Sequence, residues 1–101
     1  MPYEILVSDN FEAPPPAWSP QRAVDTPAEA LAFAQRCVDI DLRDAWRPGM
    51  SAAELYDQYR YFGEAVLIVA IGAPKVHFDG WRYARSRCEL ICALEKARNG
   101  A

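Results

Sequence analysis

The sequence is poor in the residues that build metal and redox centres, with one histidine and three cysteines among 101 residues. The cysteines, Cys37, Cys88 and Cys92, form no Cys-x-x-Cys pair, and three cysteines cannot all pair within one chain. A zinc site needs about four ligands, so His77 would have to join all three. We therefore expect no metal and no cofactor, cysteines that pack as small core residues, and a reduced, cytoplasmic compartment.

Long apolar runs are also absent. The longest, Ala65–Ile71, is far shorter than the roughly 20 residues of a membrane helix. The opening Met1-Pro2-Tyr3-Glu4 has neither the basic nor the apolar region of a secretory signal. Apolar residues make up 51% of the chain and charged residues 25%, which is typical of a soluble globular protein. We expect residues 1–101 to form one domain without membrane contact.

Positive charge is the third deficit. Fourteen acidic against eleven basic residues leave a net charge of −3. This balance argues against a general nucleic-acid binder, because such proteins need a basic surface. Residues 1–50 carry a net −4 and residues 51–101 a net +1. The asymmetry predicts that an acidic first half packs against a basic C-terminal helix.

The first half of the chain has the patterns of one or two strands and a helix. Tyr3–Ser8 is rich in strand-forming residues, residues 9–20 read as a proline-rich loop, and Gln21–Val24 could form a short second strand. Thr26-Pro27-Ala28-Glu29 combines a capping threonine with a proline in the first turn. The apolar spacing after it predicts a helix to about Ala45.

The second half predicts two further helices around a strand. Ser51-Ala52-Ala53-Glu54 is a capping box that opens a helix to about Phe62. The unbroken apolar run Ala65–Ile71 favours a central strand covered on both faces, and residues 75–78 could add a short strand. Asp79-Gly80 is expected to cap a last helix that runs from Trp81 to about Arg98. We predict an α+β fold, with a small mixed or antiparallel sheet of two to four strands packed against three helices.

Charged residues on the first and last helices suggest a contact between them. Asp41 and Asp44 fall within the apolar face of the first helix, where a carboxylate must find a partner or lose its charge. Arg82 and Arg85 begin the last helix, where the helix dipole disfavours cations. This pattern predicts a structural bridge from these acids to Arg82 or Arg85. The alternative is that the arginines bind an anionic ligand.

No recognisable catalytic set emerges. His77 has no nucleophile and orienting acid around it in a known motif, and Ser86 lies in a helix between two arginines. The remaining candidates are aromatic: Tyr61 on the outer face of its helix and Trp18 in the proline-rich loop. Such residues mark binding interfaces or cover the edge of the core.

Several stretches resemble a family of short, uncharacterised bacterial proteins. The most specific block runs from Pro48-Gly49-Met50-Ser51-Ala52 to Phe62-Gly63-Glu64. Further matching segments are the opening residues 3–11, Asp25-Thr26, Phe78, and Trp81-x-Tyr83-Ala84-x-x-Arg87-Cys88-Glu89. The resemblance covers nearly the whole chain, but it implies no activity and no catalytic residue.

These patterns favour a small soluble bacterial protein that acts as a non-catalytic protein-binding module, through a protein partner or through self-association. We expect neither membrane nor nucleic acid as a partner. The alternative is an anion- or nucleotide-binding regulator, or a small enzyme, that uses Arg82, Arg85 and His77.

Overall fold

A computed structural model describes residues 2–9 and 18–98 of the chain. The elements follow in the order β1 (Tyr3–Asp9), β2 (Ser19–Val24), α1 (Pro27–Ala45), α2 (Ala52–Phe62), β3 (Glu64–Ala70) and α3 (Gly80–Arg98). Three helices and a three-stranded antiparallel sheet confirm the α+β prediction. Most of the predicted proline-rich loop, residues 10–17, lies outside the described residues.

The helices begin where the capping patterns predict. Thr26 Oγ1 accepts a hydrogen bond from the Glu29 amide at 3.1 Å, and Pro27 occupies the first turn. Ser51 and Glu54 form a complete capping box, and this bonding lowers the pKa of the Glu54 carboxyl. Asp79 Oδ1 accepts from the Arg82 amide at the start of α3. Local sequence therefore accounts for all three helix starts.

The strand order is β2-β1-β3, which corrects one prediction. The apolar run that was expected in the centre is β3 at one edge, and β1 is the central strand. An apolar run cannot distinguish a strand with two neighbours from an edge strand, because periodicity reports the faces of a strand and not its edges. Residues 75–78 form no strand either, and belong to the connection between β3 and α3.

The core consists of two adjoining clusters. The larger lies among the helices, and its buried members are Val38, Leu42, Trp46, Leu55, Tyr59, Ala84, Cys88 and Ile91. The smaller lies between α1 and the sheet and contains Tyr3, Ile5, Val24 and Ala30. Val66 of β3 packs against both. The helices therefore cover the inner face of the sheet.

Within residues 2–9 and 18–98, no helix is both long enough and apolar enough to cross a membrane.

Candidate functional site

The outer edge of β3 is the most distinctive surface of the sheet. The Ile71 amide donates to the Pro2 carbonyl at 2.8 Å, and the ladder continues with Tyr3 opposite Ala70. In an antiparallel ladder, alternate residues direct both main-chain groups to the same neighbour. Ala65, Leu67 and Val69 therefore face β1. Four other residues direct their N–H and C=O groups towards the open edge: Glu64, Val66, Ile68 and Ala70.

Side chains from α1 and α2 close the first of these four positions. The Glu64 amide donates to Asp41 Oδ2 at 2.6 Å, and the Glu64 carbonyl accepts from the Tyr59 hydroxyl at 2.8 Å. Both main-chain groups of Glu64 thus have partners inside the molecule. Burial, followed by the nearby charge of Asp41, raises the pKa of Tyr59, so this hydroxyl remains a neutral donor.

Gly63 makes this closed end possible. A Cβ at this position would lie 2.6 Å from a ring carbon of Tyr59 and 2.9 Å from Asp41 Oδ2, closer than real side chains approach. The absence of a side chain lets the end of α2 turn directly into β3 beneath Asp41. The Phe-Gly-Glu block singled out in the sequence therefore has a structural role at the start of the edge.

The next three outward residues have no such closure. In the described part of the chain, no backbone hydrogen bond joins the connection after β3 to Val66, Ile68 or Ala70. The side chains of these residues are only half-buried, although their cross-strand partners on β1 are buried. The main-chain groups of the edge from Val66 to Ala70 therefore have no backbone partner among the described residues.

An aromatic cleft of about 430 Å³ lies at the Val66 end of this edge. Trp18, Tyr59, Phe78 and Trp81 line it, and the rings of Tyr59 and Trp81 meet edge-on with centroids 5.5 Å apart. Trp18, a predicted interface residue, is 40% exposed. The structure thus brings Trp18 to a concave surface beside the open strand. Its side chain can contact a ligand that reaches Val66.

Tyr61, the other predicted interface aromatic, is 60% exposed near the end of α2. The guanidinium of Arg60 lies 5.8 Å from the centre of the Tyr61 ring and 5.8 Å from that of Tyr56. Tyr61 does not line the aromatic cleft. Its predicted role in binding stays a prediction.

The ion pair between the first and last helices uses different residues from those predicted. Arg87 Nε lies 3.0 Å from Asp39 Oδ1, and the Tyr83 hydroxyl donates to the same carboxylate at 3.1 Å. Asp39 is not one of the two acids that the sequence pattern had indicated for this bridge. Helix α3 approaches the flank of α1 as well as its apolar face, and this brings Asp39 within reach of Arg87.

The two acids that were predicted to bridge to α3, Asp41 and Asp44, have different environments from the one expected. Asp41 points to the start of β3, as described above, and Asp44 is exposed. Asp39 and Arg87 take the bridging role that had been given to Asp41, Asp44, Arg82 and Arg85. The expectation that Asp41 needs a partner is met by the Glu64 amide.

The three residues of the predicted anion site do not share the cleft that Arg85 lines. Arg85 lines a cleft between α2 and α3 with Arg60, but Asp57 and Glu89 line the same cleft. Neither Arg82 nor His77 is among the described residues that line it, and both are exposed. His77 lies in the connection before α3, within residues 75–78, which form no strand.

The thiols are held in their protonated form. Cys88 is buried in the helical core, and burial raises its pKa to about 11. Burial also raises the pKa of Cys37 and of Cys92, whose sulfur lies 3.7 Å from the Met50 carbonyl. Among the described residues, no group of three or more histidine, cysteine or acidic side chains is placed to hold a metal ion.

No protein-family model matches the chain, and no curated protein or solved structure matches it. The resemblance to short bacterial proteins therefore stays a prediction, and function is inferred from the geometry alone. Sequence reasoning missed Val66, Ile68 and Ala70. These residues are distinguished by the direction of their main-chain N–H and C=O groups, so no side-chain motif could have indicated them.

Proposed function

We propose that the protein is a non-catalytic binding domain that takes up an extended polypeptide segment along β3. The observation that carries this proposal is the run of Val66, Ile68 and Ala70, which direct main-chain donors and acceptors to an edge without a backbone partner among the described residues. An extended peptide can join such an edge as an additional strand, with main-chain hydrogen bonds supplying much of the affinity.

The side chains along β3 suit this mode of binding. Leu67 on the outer face is 42% exposed, and Ile71 just beyond the strand is 60% exposed. On the inner face, Val66 and Ile68 are half-buried and would gain contacts from a neighbouring strand. The aromatic cleft can accept a side chain at the Val66 end. The favoured ligand is therefore an extended segment with apolar residues on both faces.

The residues that could support catalysis do not form a reactive set. The Ser86 hydroxyl donates to the Tyr83 carbonyl at 2.8 Å, which satisfies it within its own helix. The raised pKa of each cysteine works against the thiolate, which is the nucleophilic form of the side chain. This chemistry supports binding over covalent catalysis.

The test uses two alanines that lie on opposite edges of the sheet. Ala70→Pro removes an outward N–H from β3, and Ala23→Pro removes an outward N–H from β2. Peptides are selected on the unaltered protein from a displayed library of random sequences, and their affinities for both variants are measured by calorimetry. We expect Ala70→Pro to weaken the selected peptides about tenfold or more.

Ala23→Pro serves as the matched control, and we expect it to bind these peptides like the unaltered protein. Circular dichroism verifies that both variants are folded. Peptides that bind both variants equally well would show that the edge of β3 is not the binding surface. The Leu67→Lys variant, at an exposed side chain, gives the same test without changing the backbone.

A further inference from the structure

We infer that the segment bound by β3 is β3 of a second copy of this chain, paired antiparallel about a two-fold axis at Ile68. This inference rests on the proposed function, because it names the partner of the same edge. Pairing of this kind would join two three-stranded sheets into one continuous sheet.

The main-chain groups select the register. Outward-facing residues must lie opposite one another to exchange hydrogen bonds. With Ile68 opposite Ile68 of the second copy, Val66 lies opposite Ala70 at both ends, and every open position finds a partner. A shift by two residues towards Glu64 would place Ala70 opposite a position whose groups are already bonded to Asp41 and Tyr59. A shift by two residues in the other direction would place Val66 opposite residue 72, beyond the end of β3, so only one register pairs all three open positions.

The distribution of charge permits the same arrangement. Glu64 is the only charged residue of β3, and it lies at one end of the strand. In the antiparallel pair the two Glu64 residues are eight positions apart along the sheet, which is about 27 Å. Their repulsion is therefore screened by salt. A parallel pair in register would place the two carboxylates side by side.

The apolar surface around the edge fits a second copy. Of the nine large hydrophobic side chains that are exposed in the described residues, four lie between residues 61 and 71: Tyr61, Phe62, Leu67 and Ile71. Two-fold pairing brings Leu67 opposite Val69 of the second copy on the outer face. Residues 65–70 contain no lysine, no proline and no bulge, the features that normally keep strand edges apart.

The first experiment measures self-association of the protein in two variants, each of which changes one leucine of similar exposure. Leu67→Lys places a cation beside the two-fold axis, whereas Leu94→Lys places one on α3; these leucines are 42% and 44% exposed. Sedimentation velocity over a wide concentration range should show a weak, concentration-dependent dimer, since a strand edge is a small interface. We expect Leu67→Lys to weaken the dimer about tenfold or more and Leu94→Lys to leave it unchanged.

The second experiment tests the register. Leu67→Cys and Val69→Cys are prepared as separate variants and then mixed under mild oxidation. Directly opposite positions of this type lie about 4.5 Å apart between Cα atoms, which a disulfide can span. We expect the mixture to form a covalent dimer in greater yield than either variant alone, because only the mixture places unlike positions opposite each other.

Three outcomes would overturn the inference: a monomer at all concentrations, a dimer lost in Leu94→Lys but kept in Leu67→Lys, or equal disulfide yields. The peptide experiment separates this failure from failure of the proposed function. If random peptides bind β3 while the protein stays monomeric, the edge is a binding site for another polypeptide. If they bind Ala70→Pro and Ala23→Pro equally well, the proposed function fails as well.

Discussion

The two edges of the sheet differ in how they meet solvent. On β2, Pro20 lies opposite Leu6, at a position whose main-chain groups point away from β1. Because proline has no N–H, this position offers no donor to a further strand. The register also shifts between Ile5 and Leu6, which leaves an irregular ladder beside Gln21. On β3 the pairing with β1 runs without a shift from Tyr3 to Asp9. The edge of β2 carries features that disfavour further pairing, whereas the edge of β3 carries none of them from Val66 to Ala70.

This difference lies in the main-chain groups of the two strands as well as in their side chains, since β3 is mostly apolar and β2 is not. Both outer strands contact the same central strand, and α1 packs on both. They differ in how many main-chain groups are free to bond a further strand. On β2 this number is reduced by Pro20 and by the bulge. On β3, within the described residues, it is reduced only at Glu64, by Asp41 and Tyr59. The following changes test that comparison, from the largest expected effect to the smallest.

Asp41→Ala should have the largest effect, because it removes the carboxylate that accepts the Glu64 amide at 2.6 Å. Loss of a charged hydrogen-bond partner costs about 1.5–3 kcal/mol. We expect the thermal midpoint to fall by about 6 °C or more for a domain of this size. Asp44→Ala is the matched control on the same helix; Asp44 is exposed, and a change of less than about 0.5 kcal/mol is expected. Equal stability of the two variants would show that the hydrogen bond from the Glu64 amide to Asp41 does not stabilise the start of β3.

Alkaline pH should weaken the β3 side before the β2 side. The pKa of Tyr59 is raised from 10.0, so the folded protein keeps this hydroxyl neutral where the unfolded chain ionises it. Its contribution to stability is full below about pH 10 and is lost as the pH rises above that value. Strand β2 contains no group of this kind. Hydrogen exchange should therefore show the Glu64 amide losing protection before the amides of β2.

Tyr59→Phe is the control for this pH dependence. It removes the hydroxyl that donates to the Glu64 carbonyl, at a cost of about 1 kcal/mol at neutral pH. The difference in thermal midpoint between this variant and the unaltered protein should shrink as the pH rises above 10. A difference that stays constant to pH 11 would remove Tyr59 from the explanation.

Pro20→Val should have the smallest effect on stability, within about 0.5 kcal/mol, because this residue is exposed. It restores an outward N–H to β2, so weak association through that edge is expected. The measurement is sedimentation equilibrium in the Leu67→Lys background, where the β3 edge carries a charge. Ser19→Val in the same background adds a valine without adding an outward donor and should stay monomeric. Equal association of the two would show that Pro20 does not protect the edge.

Sequence patterns predicted the elements well because helix starts and strand composition are local properties. Thr26, Ser51 and Asp79 each bond an amide three residues onward, so a short segment contains the whole signal. The cysteine prediction was also sound for Cys88, since a small side chain on an apolar stripe is buried by the same packing. The candidate site was only partly predictable. Trp18 was identified, whereas the outward residues of β3 were not.

The wrong predictions concern contacts between segments that are far apart in the sequence. The acid that meets Arg87 is Asp39, because the approach of α3 to α1 depends on the packing of the whole helical cluster. The placement of β3 at the edge depends on which strand β1 pairs with on each side, and no segment carries that information alone.

The sequence by itself determined where the helices begin, which faces are apolar, and that Cys88 belongs to the core. These properties depend on residues within a few positions of one another. Only the tertiary structure decided the strand order, the Asp39–Arg87 pair and the closure of Glu64 by Asp41 and Tyr59. Each of these joins different elements of the fold, and the open edge of β3 exists because nothing in the described chain continues the sheet beyond it.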